Sequence, residues 1–159
     1  MSATPGEIAT AYHEAGHAVL ALSLGRPVQR VSVLPNQLRM GVCELKKGTF
    51  RASKDALETE ALILLGGLAA EARKMGRYSW EAARQDLRQV RDLIVTRATT
   101  LKQVERLERR LLDKTEHLLE QPGLWEAVDC IAQELLEKTT ISGRAVLHHF
   151  EVSLAKFSD

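Results

Sequence analysis

Thr4-Pro5-Gly6-Glu7-Ile8-Ala9-Thr10-Ala11-Tyr12-His13-Glu14-Ala15-Gly16-His17-Ala18-Val19-Leu20-Ala21-Leu22-Ser23-Leu24 is the stretch on which the fold turns. It opens as a helix start, with Thr4 as cap, Pro5 at the first helical position and Glu7 placed to close a capping box. Gly25 and Pro27 end it. From Ile8 to Leu24 the only carboxylate is Glu14, and there is no Lys or Arg. Ile8, Ala11, Ala15, Val19 and Leu22 make one apolar stripe, while Leu20 and Leu24 add apolar bulk on the histidine side. Such a helix is expected to be buried nearly all round. Inside it stands His13-Glu14-Ala15-Gly16-His17, the HExxH pattern. At about 100° per residue the two histidines differ by about 40° around the axis, so both imidazoles leave one face a single turn apart and can bind one ion. Glu14 lies about 100° from His13, beside such a metal, where its carboxylate can take a proton from a zinc-bound water and pass it to a leaving amine. Two imidazoles and a carboxylate in an apolar helix are costly unless satisfied, and a divalent cation with its water satisfies them. Ala15 and Gly16 keep the space between the ligands small.

Catalytic zinc takes three protein ligands and leaves a position open, so the pattern calls for one more His, Glu or Asp. Asp86 is the strongest candidate: it falls in register with Ala83, Val90 and Leu93 and so interrupts an apolar stripe, where an unpaired carboxylate is costly. Asp92 and Glu81 fall off that stripe and read as solvated. Glu71 competes with Asp86 as ligand and is also placed to orient a histidine from behind. His117, His148 and His149 sit in ordinary amphipathic surroundings and read as surface or core-edge residues. Cys43 as a ligand would need an unusual zinc set.

Working outward, residues 1–159 read as one domain. At 45% apolar and 27% charged the chain can bury a core unaided, and 24 leucines and 19 alanines against seven aromatic residues favour helices over an aromatic-rich sandwich. The expected fold is mainly α. The net charge of +1 gives no field for gripping nucleic acid or an anionic bilayer. The most apolar stretches, 8–24 and 61–70, are too polar or too short to span a membrane, and the N-terminus lacks a signal-peptide pattern. Cys43 and Cys130 read as reduced, partly buried thiols, which suits the cytoplasm.

Val28 to Leu34 alternates β-branched residues as a strand does, Pro35 to Gly41 reads as a loop, and Val42 to Leu45 as a second strand. Together they make a small two- or three-stranded β element. Ser53 with Asp55 opens a second helix that keeps apolar spacing at Leu57, Ala61, Leu64, Leu68 and Ala72 and ends at Gly76. Gly66-Gly67 inside it implies close approach by another element, most simply a helix. A third helix is expected from near Ser79 and a fourth from Thr100, closed by Pro122-Gly123. Two more span Leu124 to about Lys138 and Ser142 to about Phe150. The mixed charge run Glu105 to Arg110 reads as a solvated face.

These residues resemble the peptidase domain of the FtsH-type zinc metalloproteases, the membrane-anchored AAA proteases. Ala11-Tyr12-His13-Glu14-Ala15-Gly16-His17-Ala18-Val19 looks like that family's zinc helix, and Val31-Ser32-Val33-Leu34-Pro35 like the strand after it. Leu65-Gly66-Gly67-Leu68-Ala69-Ala70-Glu71 is similar to Leu-Gly-Gly-Arg-Ala-Ala-Glu, and Ala83-Arg84-Gln85-Asp86-Leu87 to Ala-Ser-Asn-Asp-Leu, whose aspartate is the third zinc ligand. Leu135-Leu136-Glu137-Lys138-Thr139-Thr140-Ile141-Ser142-Gly143 resembles the closing Leu-Leu-Glu-Lys-Glu-Thr-Leu-x-Gly.

The resemblance implies zinc held by His13, His17 and Asp86, with Glu14 as general base, and it separates Asp86 from Glu71. It also implies a helical fold with a small strand element beside the cleft, where a substrate backbone could pair with an exposed edge. Leu68 replaces the family's Arg, Glu81-Ala82 its Thr-Gly, and Arg84-Gln85 its Ser-Asn, changes that bear on substrate preference. The 159 residues hold no transmembrane segment and no Gly-x-x-x-x-Gly-Lys-Ser/Thr phosphate loop. The expected function is therefore a zinc metalloendopeptidase acting on unfolded chains or peptides without an ATPase of its own, as a homo-oligomer or with a separate partner protein. The alternative is a catalytically silent zinc-binding module with a regulatory or docking role.

Overall fold

A computed structural model describes residues 2–35, 41–47 and 55–158; most of the expected loop before Gly41, and Ser53, lie outside them. Among the described residues, helices α1 (Pro5–Ser23), α2 (Ala56–Met75), α3 (Arg84–Ile94), α4 (Leu101–Leu119), α5 (Leu124–Lys138) and α6 (Gly143–Ala155) surround a sheet of β1 (Val28–Ser32), β2 (Val42–Leu45) and β3 (Thr140–Ser142). The fold is mainly α, as expected.

Helix α1 begins as its sequence dictates: the Thr4 hydroxyl accepts from the Glu7 N–H while the Glu7 carboxylate accepts from the Thr4 N–H. All of 11–21 is buried, with Val19 and Leu20 fully enclosed. Each large aliphatic side chain so buried contributes about 1.5–3 kcal/mol. Helix α2 is capped by Asp55 and stopped by left-handed Gly76. It is enclosed on two sides, by α1 and by α4, so Ala61, Leu68 and most of their neighbours are buried while the anticipated Leu57, Leu64 and Ala72 are only half-buried.

The glycine pair is explained by α1. A Cβ on Gly16 would overlap the Gly66 carbonyl, and one on Gly66 would lie 2.8 Å from the Gly16 carbonyl, so the two helix backbones touch. From the other side α1 is held by α5. The enclosed Tyr12 packs its ring against Trp125 at 5.8 Å, and its hydroxyl meets Asp129 and Gln133. Burial and the Asp129 hydrogen bond push the Tyr12 phenol up to about 12.

Three boundaries differ from expectation. Helix α3 starts at Arg84, not near Ser79, because 79–83 form turns closed by Ala83 N–H to the Ser79 carbonyl and Arg84 N–H to Glu81. Helix α6 runs on to Ala155, and the first strand stops at Ser32. The sheet order is β2-β1-β3, both pairings antiparallel, with Val31 opposite Cys43 and Ile141.

Between α5 and β3, Thr139 sits at φ 64 and ψ −37, a conformation that a β-branched residue tolerates poorly. Thr139→Gly is expected to stabilise the protein by about 1 kcal/mol, the relieved strain outweighing the extra chain entropy of glycine. Thermal melting checks this through a rise of about 2–4 °C; a lowered melting temperature would show that the Thr139 hydroxyl, bonded to the Lys138 carbonyl, contributes more than the strain costs.

Candidate metal centre

The glycine contact brings α2 against the histidine face of α1, and α3 packs across α2 with Ala83, Val90 and Ile94 inward. That packing carries Asp86, in the first turn of α3, to the histidines. His13 Nε2 lies 3.0 Å and His17 Nε2 3.1 Å from Asp86 Oδ2. All three side chains are buried, and their donor atoms lie within 4.8 Å of one another.

The far side of each ring is pinned. His17 Nδ1 donates to the Ile63 carbonyl at 2.8 Å, and His13 Nδ1 faces Glu71 Oε1 at 3.3 Å. In the neutral rings both bonds select the tautomer that turns an Nε2 lone pair inward, the arrangement that orients metal-binding histidines. Glu71 thus stands behind His13, not among the three converging donors. Two imidazole nitrogens and a carboxylate oxygen suit zinc, whose tetrahedral ligand atoms stand about 3.3 Å apart. The backbone leaves room for it: a Cβ on Gly67 would lie 2.6 Å from both His13 Nε2 and His17 Nε2.

Positive charge is strongly favoured here. Burial alone would disfavour the His13 imidazolium, but the hydrogen bonds to Asp86 and Glu71 and the nearby Glu14 outweigh it and lift its pKa to about 10. Burial likewise works against the Asp86 carboxylate; the charge of His17 and the hydrogen bonds from both histidines override it and hold Asp86 well below the usual carboxylate range.

Glu14 is buried beside this trio and lines, with His13, Glu71 and Asp86, the inner end of a cleft of about 350 Å³. Its stem is backed by Gly41, just before β2, where a Cβ would come within 3.0 Å of Glu14 Cγ and 2.8 Å of the Ser32 carbonyl. Gly41 thereby lines the cleft beside the sheet. Asp92, Glu81, His117 and His148 are exposed and His149 half-buried and bonded to Glu134, none of them near the trio. Cys43 and Cys130 are half-buried. The Ile63 carbonyl and Gly41 carry no signal in the sequence, the first because a backbone oxygen has no residue identity.

No helix among the described residues is long and apolar enough to cross a membrane. Residues 6–117 match the model of peptidase family M41, a span that includes every residue of the trio, Glu14 and Glu71 but ends short of the 135–143 resemblance. The chain is 41% identical over 88 residues to the ATP-dependent zinc metalloprotease FtsH of Syntrophotalea carbinolica, covering 53% of this chain and 14% of that protein. It is 34% identical over 110 residues to FtsH 1 of Sorangium cellulosum (66% and 18%), and 32% identical over 90 residues to FtsH of Marinobacter nauticus (54% and 14%). The matched stretch is thus less than a fifth of each of these relatives. By the family match and by this architecture, the chain belongs to peptidase family M41 and forms an FtsH-type peptidase domain.

Proposed function

We propose that residues 1–159 act as a single zinc-dependent metalloendopeptidase domain that hydrolyses peptide bonds of unfolded proteins or peptides. The observation that carries this reading is the convergence of His13 Nε2, His17 Nε2 and the Asp86 carboxylate at the head of a cleft that also holds Glu14. When bound there, zinc supplies a Lewis acid that makes water nucleophilic near neutral pH. His13, His17 and Asp86 hold the ion, and Glu71 and the Ile63 carbonyl keep the rings aimed. Glu14 accepts the proton of the attacking water and hands it to the departing amine, a shuttle for which a carboxylate off the ligand set is suited. Among the described residues strand β2 pairs with β1 alone, and it starts just after Gly41, which abuts the Glu14 stem. An extended substrate pairing with its open edge is brought alongside the general base.

The test is bound metal and cleavage of an unfolded protein, measured on the same preparations. Wild type is expected to hold one zinc, lose activity to a chelator and regain it with added zinc, whereas Asp86→Ala loses both metal and activity. Wild-type protein that stays metal-free with zinc supplied would overturn the reading. Protein that binds zinc yet cleaves no unfolded substrate would instead support a silent zinc-binding module.

A further inference from the structure

Helices α1 and α2 run antiparallel. Gly16 abuts Gly66, His13 meets Glu71, and the same register carries Ala9 to Met75 and Pro5-Gly6 to the loop after Gly76. The cleft follows this seam outward. His13 and Gly6 are seven residues apart, about 10 Å of helix. Among the described lining residues Arg77 is the only Lys or Arg, and it stands at the outer end; the other charged walls are Glu14, Glu71 and Asp86 at the inner end.

Arg77 is exposed, and no carboxylate of the described residues pairs with it. Other arginines are engaged: Arg26, Arg30, Arg91 and Arg97 each hold a carboxylate, and Arg73 lies over the Trp125 ring. A guanidinium at the mouth of a substrate cleft presents a planar fork that matches a carboxylate. Outside the metal site Arg77 is thus the one fixed cation among the described lining residues, and a lysine at the same place meets like charge.

The geometry points to Arg77 as a specificity-determining residue: it receives a carboxylate carried by the polypeptide two to three residues from the bond being cut. This inference rests on the peptidase reading above. Three extended residues span about 10 Å, matching the helix rise from His13 to Gly6, which lines the cleft together with Arg77. The carboxylate comes from an Asp or Glu side chain, or from the chain terminus when the cut falls near it.

The experiment uses the full chain and two pairs of quenched fluorescent peptides. One pair differs by Glu or Gln at the second and third positions on either side of the cut and has an amidated end. The other carries neutral residues there and ends, just beyond, in a free acid or an amide. Wild type is expected to favour the carboxylate member of a pair by about tenfold in kcat/KM, expressed in KM, as a charge-assisted hydrogen bond gives. A preference in the first pair alone assigns a side chain, and one in the second assigns the terminus. Arg77→Gln erases the preference at unchanged zinc content, and Arg77→Glu reverses it toward the Gln and amide members. Equal kcat/KM within both pairs, or a preference that survives Arg77→Gln, overturns the inference. The same peptides are titrated against zinc-loaded Glu14→Gln protein by fluorescence anisotropy. If wild type cleaves nothing, a Kd difference that disappears with Arg77→Gln upholds the carboxylate receptor while the peptidase reading fails; equal Kd values sink both.

Discussion

Glu14→Gln is expected to lower kcat on an unfolded protein by about 10³-fold, the usual worth of a positioned general acid–base group, while leaving zinc content and melting temperature unchanged. That factor corresponds to about 4 kcal/mol of barrier. Glutamine keeps the volume and one carbonyl oxygen, so the packing of the Glu14 stem against Gly41 persists. Lost is the basic oxygen. Because Glu14 is not among the three converging donors, metal retention is the deciding half of the measurement. A variant that loses its zinc would make Glu14 a ligand, and one within tenfold of wild-type turnover would move the proton shuttle to another group.

Gly67→Ala is expected to eliminate metal binding, weakening zinc affinity by at least about a hundredfold, the upper range for disturbing the groups that orient ligands. The added methyl carbon would stand 2.6 Å from His13 Cδ2, His13 Nε2 and His17 Nε2. The rings have little freedom to retreat, since Glu71 and the Ile63 carbonyl hold their far sides. Alanine is the better helix former by about 1 kcal/mol, so the metal-free fold is expected to survive. Chelator competition for zinc, together with far-UV circular dichroism, separates the two effects. Zinc affinity within threefold of wild type would show that the space beside Gly67 is not what admits the ion. Gly66, one residue earlier, answers a different need: it meets the Gly16 carbonyl and Leu20, a contact of the fold and not of the centre.

Local chemistry made α1 readable almost to the residue, because its cap, Pro5 and Glu7 lie within one turn of each other. The start of α3 was not, since the turns over 79–83 carry the same residue types as a first helical turn, and Tyr78 stacked on Trp80 belongs to that turn region. Strand β3 is only three residues long, too short to show a period, and exists by pairing with β1. At the site, the spacing of His13 and His17 is a helical repeat and therefore visible in one dimension. Asp86 was visible as a charge in an apolar register, but Glu71 looked similar until the resemblance separated them. In space the difference is plain: Asp86 faces both Nε2 atoms, whereas Glu71 faces His13 Nδ1. Arg77 had no sequence signal, because its place at the cleft mouth follows from the antiparallel seam of α1 and α2.

The pairing of β1 with β3 also sets an order of events during synthesis. Ser32 and Thr140, whose hydroxyls bond across that pairing, are 108 residues apart in the chain, so closing them carries a loop entropy that nearby contacts do not. All the donors of the metal centre have been made once α3 is complete at Ile94. The second neighbour of β1, including the bond from the Val33 N–H to the Thr139 carbonyl, exists only after the ribosome has passed residue 142. The corner where His13, His17 and Asp86 converge is thus available early, and the sheet beside Glu14 is finished late. A nascent chain carries these three side chains well before it carries a complete sheet.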